Sequence, residues 1–388
     1  MTFPPAPDMN ASPESEPEAG QLPASHGPRL DPWSSELPAD QQKLFQEFGL
    51  EEISDSLHKR FSGSHLFRRR IVLAHRDLVP WIKAADEKKP VAIMSGIKPS
   101  GDFHLGSKQT AEEIIFFQQA FKCKVYYCIA DLEAHVDNGI PLEECRATAI
   151  NNVADLLALG IDADNTYFYR QSREHRVTTM AYKLSRRVTP KMLAAIYGDK
   201  PISLQMAVLV QMGDIMLPQH EDFGGPKHVL VPVGLDQDPH IRLSRDLAFK
   251  ERLVLPSATY HKFIKNLKGE AKMSKRDPDA MVWLSEDLAS VRKKFMRALT
   301  GGRSTAEEQK RIGGDISNCM AYDIFATHFE LDEKKLQKRH EDCAHGRILC
   351  GECKTQMVEI ALEWLKEHQA KRAKMMKKAE KIIEKQEE

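Results

Sequence analysis

No apolar run in this chain approaches the roughly 20 residues needed to cross a bilayer. The acidic, proline-rich N-terminus also lacks the basic and apolar regions of a signal peptide. The expectation is therefore a protein of the cytosol, with no membrane partner. An excess of either charge is missing too: 56 Lys and Arg balance 56 Asp and Glu. The chain as a whole is then no electrostatic sponge for nucleic acid, and any RNA surface must be a local patch. Cysteine is sparse, with seven residues, odd in number and mostly isolated. That pattern fits reduced thiols and argues against a disulfide framework. Large apolar side chains are nearly absent from residues 1–30, which cannot bury enough surface to offset their ordering entropy, so a disordered extension is expected there.

What is present has a clear order. A helical segment is expected over 31–88, with a helix at 37–48 and an arginine cluster, Arg68 to Arg70, read as a solvated face. The apolar run 91–94 then ends in Met94-Ser-Gly-Ile-Lys-Pro-Ser-Gly-Asp-Phe-His104-Leu-Gly-Ser107, where glycines at 96, 101 and 106 surround His104 before a helix over 108–121. Glycines let backbone approach a polyphosphate, and a helix N-terminus favours an anion. A strand over 124–130 stops at Asp131, a helix over 142–159 ends at Gly160, and another strand follows at 166–169. This alternation predicts an α/β fold with a doubly wound parallel sheet, which binds ligands at the carboxyl ends of its strands.

Residues 177–225 interrupt the alternation with helices, the last of which carries Gln205, Gln211 and Asp214. Gln211 and Asp214 stand i, i+3 and share a face; Met212, Ile215 and Met216 crowd the carboxylate, so it needs a polar partner such as a substrate atom. A buried strand over 228–233 runs into Gly234-Leu-Asp236-Gln237, a third polar strand end. Then Lys272-Met-Ser-Lys-Arg276 offers a loop with two lysines beside a serine, suited to meet charge on a phosphate. From 284 the chain reads as helical, with helices over 288–299, 320–329 and from 356 onward; the lysine-rich end from Ala379 is read as fraying into solvent. Cys343, His345, Cys350 and Cys353 have zinc-ligand chemistry at a spacing that one tetrahedral site could close, so a structural Zn²⁺ is a further expectation beside free thiols.

His104-Leu-Gly-Ser107 and Lys272-Met-Ser-Lys-Arg276 together resemble the HIGH and KMSKS signatures of class I aminoacyl-tRNA synthetases. Within that class, Ser95-Gly-Ile-Lys-Pro-Ser-Gly101 resembles the SGIQPSG of tryptophanyl-tRNA synthetases, and Pro232-Val-Gly-Leu-Asp-Gln-Asp-Pro-His240 their GxDQ segment in its archaeal and eukaryotic form. Leu299-Thr-Gly-Gly-Arg303, Cys350-Gly-Glu-Cys-Lys354 and Lys366-Glu-His-Gln-Ala-Lys-Arg372 are similar to the C-terminal part of archaeal members. The resemblance implies a Rossmann-type catalytic domain over 89–283 with its insertion at about 177–225. It also implies a C-terminal α-helical anticodon-binding domain over 284–388 and a homodimer. The reaction implied is ATP-dependent attachment of L-tryptophan to tRNA(Trp) through an adenylate, with Mg²⁺ on the pyrophosphate side.

Residue roles follow from the same resemblance. Catalysis would fall to His104, Lys272, Ser274 and Lys275. ATP would be held by Lys98, Ser100, Gly101, His104, Gly106, Ser107, Gly234, Asp236, Gln237 and Met273 together with those loop residues. Tryptophan would be held by Met94, Gly96, Asp131, Gln205, Gln211, Asp214 and Gln237, with Asp214 accepting from the indole N–H. Arg303, Lys310, Arg311, Lys371 and Arg372 would face the anticodon. Two departures stand out: Ser107 replaces the second signature histidine, and Arg276 replaces the final serine. The rival substrate is tyrosine, but the corresponding enzymes hold the phenol with a tyrosine where this chain has Met94, a better packing partner for indole than a hydrogen-bonding one. The rival class is a non-catalytic synthetase-like RNA-binding protein, against which stand the retained His104, Lys272, Ser274, Lys275, Asp236 and Gln237.

Overall fold

The computed structural model describes residues 45, 48–269, 273 and 277–386. The N-terminal extension and nearly all of the helix expected over 37–48 lie outside them. Seven strands form one sheet: β1 Glu51–Glu52, β2 Val72–Arg76, β3 Val91–Ile97, β4 Lys124–Ile129, β5 Thr166–Arg170, β6 His228–Gly234 and β7 Ser257–His261. Their order is β1-β2-β7-β6-β3-β4-β5. The five strands from β7 to β5 are parallel, and β2 and β1 add an antiparallel edge. The chain fills β3, β4 and β5 in one direction and returns on the other side of β3 for β6 and β7. The order therefore reverses between β3 and β6, which opens a crevice at their carboxyl ends.

The parallel strands read as nearly continuous apolar runs because both faces are covered. Along β3 and β4, Ile93, Ile97, Val125, Tyr127 and Ile129 belong to one core, and Ala92, Met94, Tyr126 and Cys128 to another on the opposite face. Helices α1 Asp55–Arg60, α2 His65–Arg68, α3 Leu78–Asp86, α4 Leu105–Phe121, α5 Asp131–Asn138 and α6 Cys145–Leu159 occupy the first half of the chain. The insertion contributes α7 His175–Ser185, α8 Pro190–Tyr197 and α9 Ile202–Met216, and α10 Asp238–Lys250 joins β6 to β7. At Gly213 of α9 a Cβ would stand 2.4 Å from the Val177 carbonyl oxygen, so only glycine lets α9 lie this close to α7.

The C-terminal helices are α11 Leu288–Arg297, α12 Ala306–Ile312, α13 Met320–His328, α14 Glu333–Ala344 and the 35-residue α15 Cys350–Glu384. Three sequence expectations need correction here. The antiparallel edge was not foreseen, because a five-residue strand buried on both faces carries no alternating pattern. The arginine cluster is a solvated face only in part: Arg68 and Arg70 are exposed, but Arg69 Nη1 donates to the Glu330 carbonyl at 2.7 Å, and both Arg68 and Arg69 pair with Glu333 of α14. Nor does the lysine-rich end fray from Ala379. Ala379 and Ile383 are fully buried, and α15 lies along α6, where the buried Asp155 accepts from His368 Nε2 at 2.8 Å and Arg372 Nε at 3.1 Å. Lys108, one turn into α4, completes the tie; its buried ammonium donates to Glu112 at 2.6 Å and to the His328 carbonyl at 3.1 Å.

Candidate active site

The crevice at the strand-order reversal is a cleft of about 440 Å³. Of the expected site residues, its walls bring together Met94, Gly96, Lys98, Ser100, His104, Gly106, Ser107, Gln211, Asp214, Gly234, Asp236, Gln237 and Met273. At Gly96 a Cβ would stand 2.6 Å from the Cys128 carbonyl oxygen, so β3 approaches β4 this closely only because that position is bare. Lys272, Ser274 and Lys275 lie outside the described residues, as does Arg276.

His104 is the N-cap of α4. Its Nδ1 accepts from the backbone N–H of Gly106 at 3.0 Å and of Ser107 at 3.4 Å. A ring nitrogen that accepts must be unprotonated, so in the neutral ring the proton sits on Nε2, which is then a donor for an anion in the cleft. A Cβ at Gly106 would stand 2.8 Å from the same imidazole, which accounts for the glycine. The edge that lost an imidazole at Ser107 has another: His261, at the end of β7, lines the cleft, with Nδ1 3.3 Å from Glu113 Oε2 and Nε2 3.4 Å from Thr110 Oγ1.

At the other end of the cleft Asp214 is buried among apolar neighbours and faces three donors. Tyr169 Oη donates to its Oδ1 at 2.9 Å, Gln171 Nε2 to its Oδ2 at 2.6 Å, and the Cys128 thiol lies 3.5 Å from Oδ1. Burial pushes the carboxyl up to about 7, against those three hydrogen bonds, which favour the ionised form. Burial, and then the neighbouring Asp214, hold the Tyr169 hydroxyl and the Cys128 thiol well above their ordinary ranges, so both remain donors. Along the rim, Lys98 pairs with Asp137 and stands 3.6 Å from Glu133. Gln237 Nε2 donates to Asp236 Oδ2 at 2.9 Å.

Four expected site groups are not in this cleft. Asp131 is fully buried and saturated by Arg170 Nε at 3.0 Å, the Ser172 and Leu132 N–H groups at 3.0 and 3.1 Å, and the Ser172 hydroxyl; it clamps β4 to β5 and has no lone pair left for a substrate. Gln205 turns its amide to the Lys200 carbonyl at 2.8 Å, at the start of α9 and away from the cleft. Gly101 stands off the wall, its carbonyl accepting from Asn152 Nδ2 at 3.3 Å. His345 has its Nδ1 2.7 Å from the Glu341 carbonyl and does not line the pocket that Cys343, Cys350 and Cys353 share. Among the described residues no group of three or more His, Cys, Asp or Glu side chains is arranged to hold a single metal ion. Gln171 and Tyr169 were missed by sequence reasoning. Both stand at the carboxyl end of β5, where the rule that singled out Asp131 and Asp236 would have found them.

The family described as tRNA synthetases class I (W and Y) matches residues 86–366. The tryptophan–tRNA ligase of Methanocaldococcus jannaschii is 37% identical over 364 residues, covering 92% of this chain and 98% of that protein. That of Hyperthermus butylicus is 40% identical over 354 residues, covering 88% and 94%. The crystal structure of tryptophanyl-tRNA synthetase from Aeropyrum pernix superposes with a TM-score of 0.83 at 38% identity, covering 92% of this chain and 98% of that one.

Proposed function

Because this chain belongs to the class I tRNA synthetases for tryptophan and tyrosine, we propose that its cleft binds ATP at the His104 edge and the indole of tryptophan at Asp214. The chain is an aminoacyl-tRNA ligase that charges tRNA with tryptophan, and tyrosine is not favoured, since the curated relatives with which it shares most of its length are tryptophan–tRNA ligases.

The observation that carries the indole assignment is the donor count at Asp214. A carboxylate has about four lone-pair sites, and Tyr169, Gln171 and Cys128 address three of them. The remaining site suits a ligand with one donor and no acceptor, which describes indole. Met94 offers a polarisable thioether to the flat ring. In the first half-reaction the amino acid carboxylate attacks the α-phosphorus and pyrophosphate leaves; in the second a terminal hydroxyl of tRNA attacks the adenylate and AMP leaves. The protein's part is positioning and charge: His104 Nε2–H and Lys98 address the phosphates, Asp236 and Gln237 the ribose and ammonium, and Lys272, Ser274 and Lys275 the charge that develops at the α-phosphoryl.

Glu133 and Asp137, the carboxylates at the rim, are paired with Lys98 and make no dedicated cage for Mg²⁺. The ion would travel on the nucleotide's own phosphates, and no step here depends on it. The exposed Arg303, Lys310 and Arg311 remain as candidates for the tRNA surface, whereas Arg372 is spent on Asp155. Among the described residues no helix is long and apolar enough to cross a membrane, which supports a cytosolic site of action. Tyr182 of α7 and Ile202 of α9, 75% and 78% exposed on helices that pack together, support a homodimer through this face.

Pyrophosphate exchange dependent on the amino acid tests the reading. Exchange is expected with tryptophan and not with tyrosine; the reverse pattern would overturn it.

A further inference from the structure

His104 brings a hydrogen-bond donor to the phosphate edge of the cleft, but no charge. Its Nδ1 accepts from two backbone N–H groups, which keeps the ring neutral. Ser107, where the signature has its second histidine, brings no charge either. The turn thus contributes one neutral imidazole and one lysine, Lys98, that two carboxylates already match. Behind it, α4 buries a group that the mechanism has not used.

Glu113 is fully buried, six residues on from Ser107. Its neighbours along the helix, Ala111, Ile114 and Phe117, are core residues, and a carboxylate placed among them is costly unless a donor or a cation meets it. Its Oε1 has no hydrogen-bond partner among the described residues, and its Oε2 lies 3.3 Å from Nδ1 of His261. His261 ends β7 and lines the cleft. Lys262, the next residue, does not compete for this carboxylate, since its ammonium is turned to Asp323 of α13 at 2.7 Å.

The imidazole has a direction. Ser107, Thr110 and Glu113 form one i, i+3, i+6 row of α4. His261 meets the last of them with Nδ1, while its Nε2 lies 3.4 Å from Thr110 Oγ1. The ring therefore runs beside this row with Nε2 toward Ser107, which stands about 4.5 Å further along the helix axis. Across from it is Gly234, where a Cβ would already touch Nε2 at 3.8 Å, so no side chain of β6 screens that nitrogen. From β7 the imidazole points to the place that a histidine at 107 would fill from α4.

We propose that His261 is the second phosphate-binding imidazole of this cleft, donating from Nε2–H to the triphosphate of ATP, with Glu113 as the positioning residue behind it. The carboxylate accepts from Nδ1–H and a phosphate oxygen from Nε2–H. The ring between these two anions is imidazolium, which supplies the charge that His104 does not carry. This deepens the reading that ATP binds at the His104 edge, and rests on it.

Dissociation constants for ATP and for adenosine, measured by equilibrium dialysis on the full-length chain, test the assignment. H261A should weaken ATP roughly 10- to 150-fold, the loss of one charge-assisted hydrogen bond, and leave the binding of adenosine and of tryptophan unchanged. S107H/H261A returns an imidazole to α4 and should recover most of the ATP affinity. E113Q should weaken ATP in the unaltered chain and cost nothing further beside H261A, because Glu113 acts through that ring; a further loss there would take Glu113 out of the role. Where H261A also loses tryptophan binding, and with it the shape of the cleft, H261Q carries the same comparison with and without S107H. An ATP affinity that neither variant changes, an equal loss for adenosine, or no recovery with S107H would each overturn the role of His261 while the ATP reading stands. An unaltered chain that does not bind ATP would overturn both.

Discussion

Asp214 concentrates the chemistry that a single residue decides here. Its carboxyl is pushed up to about 7 by burial, and an indole N–H would be one more donor to the ionised form. Binding of tryptophan should then lower that value and release a proton, so affinity rises as pH goes from 6 to 8 and levels off above. The tryptophan KM in pyrophosphate exchange, measured across that range, checks the sign. D214N leaves one amide oxygen for what would be four donors; its tryptophan KM should rise roughly 10- to 150-fold, the loss of one charge-assisted hydrogen bond of about 1.5–3 kcal/mol, and the pH dependence should flatten. Stability has the opposite trend: a carboxyl held above its unfolded value destabilises the fold once ionised, so this contribution is best below pH 4 and lost as pH rises to 7. That Asp214 lies on a buried helix was legible in the sequence from Met212, Ile215 and Met216 beside it. The strand-end rule reaches Tyr169 and Gln171 as cleft-side residues, but not their pairing with Asp214, which stands more than 40 positions away.

Among the elements, α15 gains most from tertiary packing. By sequence its last two turns are lysine-rich, and only their contact with α6 and β5 makes Ala379 and Ile383 core residues. Asp155 is the anchor. Removing both of its donors in H368A/R372A strands a buried carboxylate, and the cost should be about 3–5 kcal/mol in urea unfolding. Adding D155A to that variant removes the stranded charge and should recover part of the loss; an unchanged or deeper loss would show that packing of α15, and not charge pairing, is what the two residues supply.

For the whole molecule, the exposed side chains of Tyr182, Ile202 and Met206 on α7 and α9 set the expectation for assembly. Sedimentation should report twice the chain mass of 44.0 kDa, and Y182D/I202D should shift it to one chain while leaving the sheet intact by circular dichroism. A single-chain mass for the unaltered protein would place the assembly elsewhere or exclude it. The insertion that carries this face also carries Asp214, so in the proposed reading α9 would serve assembly on one side and substrate recognition on the other. The tie from Lys108 and Arg69 to the C-terminal helices joins the helix behind His104 to the region that carries Arg303, Lys310 and Arg311.

The sequence by itself determined the alternation of strand and helix, the cleft's His104 turn and the strand end at Asp236. These are local features: glycine spacing, apolar runs and the residues directly after them survive in any reading of neighbours along the chain. Only the tertiary structure decided that Asp131 is a clamp, that Gln205 faces away, that Arg69 and Arg372 are internal ties, and that Cys319, and not His345, lines a pocket with Cys343, Cys350 and Cys353. Each of those outcomes depends on a partner from a distant segment, and a polar side chain is claimed by whichever partner burial brings within hydrogen-bond reach, which spacing along the chain does not encode.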